Sequence, residues 1–505
     1  MNLSEKRQYH LLAIVLVMAS VLRLAWLGQR EIWYDEAFSV LCAEKGFAAI
    51  QYGTISQFQC AAADVHPPLY YFLLHVWMGL GESLFIVRLL SAILGVATVG
   101  VSYLLGRELF GARAGLAGAF VVAISPFHIY YSQEARMYSL LGFLLTMGTY
   151  FFVRAVQTSK LRHWLGFTVC FALAQYTHSV AVFWLMALDA CALLLYRCRP
   201  NVLKSVIAAN VGVFLLCSPW LLFALPGQLS KVEQSYWIPV PGPAQLVRLL
   251  LTLTLNLPAP PALLVLWTFF AFLLLALVIQ LAVHQLRREQ AARSNLLFLA
   301  IIALLPVLAI FLVSQVRPIY WERLFIFSAI AYYLLVGWAV SKVKLSPASL
   351  LLGVPVLAVV GLALHYQYTF DQFPRSPYRS AVQYLRANYD PNSVIIHNNK
   401  LSFFPSYFWD RGLPQHFLPD PPGAPQDTLS RPTMETLGLF PDDLEQLTRG
   451  HDRVYLVVFR KAMGEAHDRG KPLPDMAWLE SHFDKHDVVS FNDLEVYVFR
   501  RAGKQ

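Results

Sequence analysis

The sequence predicts a polytopic α-helical membrane protein of about eleven spans with a small α/β domain at its C-terminal end. Three observations predict it. The 505-residue chain is 57% hydrophobic and only 14% charged, with a mean hydropathy of +0.50, well outside soluble composition. Apolar runs of roughly 20 residues, the length that crosses a bilayer as a helix, recur as far as about residue 366. From 371 onward they give way to one amphipathic stretch and several strand-like runs. The formal charge of +9 fits cytoplasmic Lys and Arg that fix topology, and no nucleic-acid partner is expected.

The first apolar run, residues 10 to 28, follows Lys6 and Arg7. Its length, its internal Arg23 and the lack of a small-x-small cleavage site predict a retained span rather than a signal peptide. A charge inside a span is expensive, and Arg23 is expected to snorkel outward. Further helices are predicted near 84–105, 114–131, 137–156, 163–179, 180–196, 204–223, 262–283, 295–314, 324–341 and 347–366. Charge provides an independent check on the tight pair between 163 and 196. Alternate connections hold Lys6/Arg7, Arg107/Arg113, Arg154/Lys160/Arg162, Arg197/Arg199/Lys204, Arg287/Arg288/Arg293 and Lys342/Lys344. The other connections are longer, richer in acids and aromatics, and include 29–83, SPFHIYYSQEARMYS, the His178 tip, 224–261 and SQVRPIYWERL. This alternation predicts a cytoplasmic N-terminus with the loop 29–83 and the C-terminus outside. At about 13 residues, LYYFLLHVWMGLG is too short to span and is read as an interfacial or half-inserted helix.

The membrane domain is therefore expected over 1–370, with its outer-face loop 29–83, and the extracytoplasmic α/β domain over 371–505. Within the latter, PYRSAVQYLRANYDPNSVII reads as an amphipathic helix and a strand, RVYLVVF as a buried strand and LEVYVFRR as a closing strand, with irregular LPDPPGAPQ between. Four cysteines, Cys170, Cys191, Cys198 and Cys217, fall in or beside apolar runs without metal-ligand spacing. Cys42 and Cys60 share one aqueous loop, and spacing leaves a disulfide and two thiols equally open.

Charged and polar groups collect at the predicted outer surface: Asp35, Glu36, Asp64, His66, Arg88, Glu134, Arg136, Arg317, Glu322 and Arg323, beside Tyr131 and other aromatics. An ordinary aromatic belt with scattered charges is the plain alternative. Against it, the acids and arginines recur in compact clusters at helix starts. Asp35 and Glu36 in EIWYDEAFSV stand just beyond the first span, and as helical neighbours they would point about 100° apart. They suit either acid–base work or the N-terminal end of a following helix. A DE pair can also ligate a divalent ion, and nothing in the sequence specifies one.

Four segments in order, WYDEAFSV, DVHPPLYYFLLHVW, RLLSAILG and SPFHIYYSQEARMYSLL, resemble the membrane glycosyltransferases of family 39 type in the GT-C superfamily, relatives of the protein O-mannosyltransferases and the lipid A aminoarabinose transferase. The resemblance is strongest in the N-terminal third; beyond it lie a P-x-Y-x-x-R element, PIYWER, and the outer domain. Where relatives often carry Arg-Tyr, this chain has Arg323-Leu324. The resemblance implies transfer of a sugar from a polyprenyl-phosphate donor to a lipid, protein or polysaccharide acceptor at the outer face. The short loops and compact outer domain fit a bacterial inner membrane, and an endoplasmic-reticulum membrane has the same topology. It implies Asp35 as base, with Glu36 positioning it, holding sugar or helping to hold a metal. Asp64 and Glu134 would contact sugar or acceptor, and His66 and Arg136 the phosphate, with Arg88, Arg323 and Tyr131 lining the substrate site. The chemistry agrees: a departing lipid phosphate needs cations, and the attacking hydroxyl needs a base. A transporter or flippase of polyprenyl-linked glycans is the rival, disfavoured because polar groups gather at one surface and no paired broken-helix repeat is evident.

Overall fold

A computed structural model of the chain describes residues 3–55, 66–224, 226, 238–286, 290–343, 346–369, 376–420, 429, 431–468, 470 and 472–501. By contacts the chain divides into two units: Met1–Gly28 with Thr54–Phe370, and Gln29–Gly53 with Asp371–Gln505. The first part of the outer loop, placed by the sequence with the membrane domain, thus groups with the C-terminal residues.

The first unit is helical and integral to the membrane. Among the described residues, seven helices are long and apolar enough to cross a bilayer, or eight when the bent pair Ala112–Ile124 and Pro126–Ser132 is taken as one span. The other predicted segments are helical as well, as Leu161–Thr177, Ala181–Leu195 and Pro347–Thr369. At 17 and 15 residues the first two are short for a span, and three residues at the His178 tip join them. LYYFLLHVW forms the helix Leu69–Trp77, and the connection 224–261 contains an unpredicted helix, Ala244–Leu255.

Glycines let the spans approach closely. A Cβ on Gly337 would lie 2.3 Å from the Gly118 backbone, and one on Gly106 2.9 Å from Gly115 Cα. Helix Ala112–Ile124 therefore nests against Leu84–Phe110 and Ile326–Lys342 at backbone-to-backbone distance, the packing that stabilises helices in lipid where the hydrophobic effect gives no help.

The second unit has a five-stranded sheet of β1 (Ser393–His397), β2 (Gln415–Phe417), β3 (Arg453–Phe459), β4 (Phe483–Phe491) and β5 (Leu494–Arg501), in the order β2-β1-β3-β5-β4. β1 is parallel to β2 and β3, while β5 is antiparallel to β3 and β4. The central strands are buried on both faces, as the run RVYLVVF predicts: Val394, Ile396, Val454, Leu456 and Phe499 pack on one face, Ile395, Tyr455, Val457, Val496 and Val498 on the other. The predicted amphipathic helix is Tyr378–Asn388. Most of LPDPPGAPQ lies outside the described residues, as does Cys60; Cys42 is buried in the helix Tyr34–Ala43.

Candidate active site

In the membrane unit the site is built around a break. The pair Ala112–Ile124 and Pro126–Ser132 bends by 63°. Ser125 caps the second helix, its hydroxyl accepting from the His128 N–H at 3.2 Å. Pro126 has no N–H, so the Val122 carbonyl loses its donor four residues on. Arg23 supplies the replacement. Fully buried, its guanidinium donates to Val122 O at 3.1 Å, Ala123 O at 3.0 Å, Ala19 O at 3.1 Å and His128 Nδ1 at 2.8 Å. The expectation that Arg23 snorkels is therefore corrected: the carbonyl end of a broken helix is a better partner than the distant headgroups. Gln133 performs the matching task for the first span. Its Nε2 donates to the carbonyls of Arg23 at 3.1 Å and Ala25 at 2.8 Å, and its Oε1 accepts from the Tyr368 hydroxyl at 2.8 Å.

The chain from Gln133 to Met137 then runs unwound before the helix Tyr138–Thr158. Glu134 and Arg136 lie on this stretch, both buried, so the divergence of i and i+2 on a helix does not apply to them. Side chains fasten it at both ends: Ser139 Oγ donates to Tyr131 O at 3.0 Å, and Ser91 Oγ to Arg136 O at 3.4 Å. Tyr131 meets Tyr138 edge-on, with ring centroids 5.2 Å apart. Glu134 and Arg323 both lie within electrostatic reach of the Tyr131 hydroxyl. Arg323 sits over the Tyr138 ring at 5.6 Å and the Trp321 ring at 6.0 Å.

His178, which the sequence places at the tip between two predicted helices, lies in the same cluster, its ring 5.3 Å from that of His66 and 6.4 Å from that of Tyr138. Burial, with the positive charges of Arg323 and Arg136, pushes its pKa down to about 3, and its Nδ1 accepts from the Val180 N–H at 3.3 Å. It is a neutral histidine held among cations. The structure thus brings together His66, Tyr131, Glu134, Arg136 and Arg323, and adds Tyr138 and His178. Two guanidinia against one carboxylate make the cluster cationic, as a phosphate ligand requires. Arg88 is buried and donates to Leu27 O at 2.9 Å, beyond the end of the first span. Asp64 lies outside the described residues.

In the second unit, Asp35 and Glu36 occupy the first turn of Tyr34–Ala43. Trp33, extended at φ −120 and ψ 174, is the N-cap, and its side chain makes no capping bond. The acids are thus dipole-favoured rather than capping residues. Glu36 is fully buried and Asp35 half-buried. Tyr34 and Phe38, four residues apart on one face, stack on Phe404, Tyr34 with its ring centroid 5.5 Å and Phe38 6.3 Å from that ring. Among the described residues no group of three or more His, Cys, Asp or Glu side chains is placed to hold a metal ion.

A family model described as dolichyl-phosphate-mannose-protein mannosyltransferase matches residues 65–223, the stretch that carries His66, Arg88, Tyr131, Glu134 and Arg136. The fold matches the crystal structure of ArnT from Cupriavidus metallidurans in the apo state, with a TM-score of 0.65 at 15% identity over 98% of both chains. This chain has the GT-C glycosyltransferase fold. The ArnT structure bound to undecaprenyl phosphate matches with a TM-score of 0.62 at 14% identity, over 96% of this chain and 97% of that one. The archaeal oligosaccharyltransferase AglB from Archaeoglobus fulgidus, in complex with an inhibitory peptide and a dolichol-phosphate, matches with a TM-score of 0.56 at 12% identity, over 98% of this chain and 74% of that one. No curated protein matches by sequence. Asp35, Glu36 and Arg323 lie outside the segment that the family model covers.

Proposed function

We propose that the protein transfers a sugar from a polyprenyl-phosphate carrier to an acceptor hydroxyl at the outer face of the membrane. The observation that carries this reading is the cationic cluster of buried Arg136, half-buried Arg323 and neutral His178, beside an unwound stretch between two membrane helices that also carries the buried Glu134. Two proteins of like fold support the carrier class, since ArnT is bound to undecaprenyl phosphate and AglB to a dolichol-phosphate. In the reaction the acceptor oxygen bonds to the anomeric carbon, the carbon–oxygen bond to phosphate breaks, and the lipid phosphate leaves with the electron pair. The guanidinia of Arg136 and Arg323 stabilise that charge, so no strong acid is needed for the leaving group. Asp35 takes the hydroxyl proton, Glu36 orients it, and Tyr131, His66 and Glu134 contact sugar and phosphate. The charge alternation of the loops supports a cytoplasmic N-terminus and an outer C-terminal domain, and the short loops and compact outer domain favour a bacterial inner membrane.

The test is transfer of label from radiolabelled polyprenyl-phosphate sugars by the purified protein in lipid, with a membrane extract as acceptor. Wild type should transfer label, and Asp35→Asn, still folded, should lose about 10²–10⁴ of the rate. Donor that binds without any transfer would overturn the enzyme reading in favour of a lipid-linked glycan carrier.

A further inference from the structure

The acid-bearing helix has its own mount. Helix Tyr34–Ala43 is held at several points by the C-terminal residues with which it forms one unit. Before it, the Glu31 carboxylate accepts from Trp409 Nε1 at 3.1 Å and from the Arg379 N–H at 3.4 Å. Along it, Tyr34 and Phe38 stack on Phe404. Beyond it, Glu44 pairs with Arg411, and the Tyr52 hydroxyl donates to Glu435 at 2.6 Å. Phe404 is itself set in a stiff frame. Its helix, Lys400–Trp409, follows β1 and is capped by Asn399, whose side chain accepts from the Leu401 N–H at 2.9 Å. The buried His397 ring ties Ser402 at 3.1 Å to Gln415 of β2 at 3.0 Å, and Phe403 stacks on Phe417 of β2 at 4.7 Å.

Resting on the proposed function, we infer that the α/β domain is the mount of the catalytic carboxylate, with Phe404 as the positioning residue that sets the rotation of the Asp35 helix. Phe404 grips the face of Tyr34 and Phe38, and Asp35, one residue from Tyr34, is turned about 100° from that grip. Rotation of the helix about its axis would carry the carboxylate off its line of attack. Glu31, clamped by Trp409, fixes the position of the same helix along its axis.

The test compares Phe404→Ala, Phe404→Tyr, Trp409→Phe and Asp35→Asn in the full-length protein in lipid. Phe404→Ala should lower kcat by about tenfold to a hundredfold, leave KM for the polyprenyl-phosphate sugar within about twofold, and speed amide exchange over 34–43. Phe404→Tyr should restore both kcat and the slow exchange. Should the alanine variant fail to fold, Trp409→Phe keeps an aromatic ring at that place, removes the hydrogen bond to Glu31 with part of the ring face under Arg379, and should still lower kcat without raising KM. Unchanged kcat in a folded Phe404→Ala or Trp409→Phe protein, or a rise in KM alone, overturns the mount. Full turnover by Asp35→Asn instead overturns the base assignment on which the mount rests, so the two failures are read from different variants.

Discussion

Replacing Arg23 by Met should destabilise the membrane unit although it removes a buried charge from lipid. The guanidinium serves the Val122 and Ala123 carbonyls at 3.1 and 3.0 Å, and Pro126 leaves the first of these without its helical donor. A buried carbonyl left without a partner costs about 1–3 kcal/mol, so the two together cost about 2–6 kcal/mol. The relief of burying no charge offsets part of this, since a buried ion is held at a desolvation cost. Membrane insertion weakens the offset, because no water reaches the orphaned carbonyls in either case. The expected net effect is a loss of about 2–4 kcal/mol. Arg23→Lys, with a single ammonium in place of the fork, should fall between wild type and Met. Thermal unfolding in lipid nanodiscs, followed by intrinsic fluorescence, reads the order. An Arg23→Met protein that melts with wild type would refute the claim that this guanidinium holds the break together.

Two further outcomes follow from packing and titration. Gly337→Ala would place a methyl 2.3 Å from the Gly118 backbone, where ordinary contacts begin at 3.4 Å, so the helices must part by about 1 Å at a cost of about 1–3 kcal/mol. Gly353→Ala, with nothing within 4 Å, is the control, and equal melting of both variants would sink the argument. In the α/β domain, burial is the main cause that pushes the His397 pKa down to about 4, below its unfolded value of about 6.5. Between these values the unfolded chain binds the extra proton, so this stability is complete above about pH 6.5 and is lost as pH falls toward 4, about 3 kcal/mol in all. Asp475, pushed up to about 6 by burial, acts in the opposite sense, so the comparison with His397→Gln isolates the histidine. Amide exchange of β3 measures it, and identical pH slopes in both proteins would refute it.

The spans were legible because hydropathy over about 20 residues is a local signal, and the charge alternation separated the close pair Leu161–Thr177 and Ala181–Leu195. The strands of LEVYVFRR and RVYLVVF were legible from their apolar runs. β2, three residues long, has no period to detect, and β4, FDKHDVVSF, lies mostly exposed with a bulge between Lys485 and Asp487. The polar stretch SQEARMYS was visible as a cluster, but His178 was not, because its membership depends on tertiary contact with His66 and Tyr138 and no ligand spacing announces it. Arg23 was visible as a charge in a span. Its partners at the break stand 99 to 105 residues away, and only the fold could choose between them and the headgroups.

That choice explains why the buried polar groups stand where they do. Lipid tolerates an unwound backbone only where protein satisfies its carbonyls and amides. The chain therefore cannot place Glu134 and Arg136 on a non-helical stretch without first closing the helix ends on either side. Arg23 closes the end at Val122 and Ala123, and Gln133 closes the end of the first span. Ser125 and Ser139 fasten the two flanking turns. Each of these groups is polar, sits in or beside a span, and bonds to backbone that the break or a helix end leaves open, so the fold itself accounts for it. Arg136 and Arg323 are distinguished by the charge that gathers around them. Both gather with His66, Glu134 and His178 on the unwound side, where the protein concentrates positive charge rather than dispersing it. Concentrated charge costs stability, and the proposed contact with a lipid phosphate would be the physical reason to retain it.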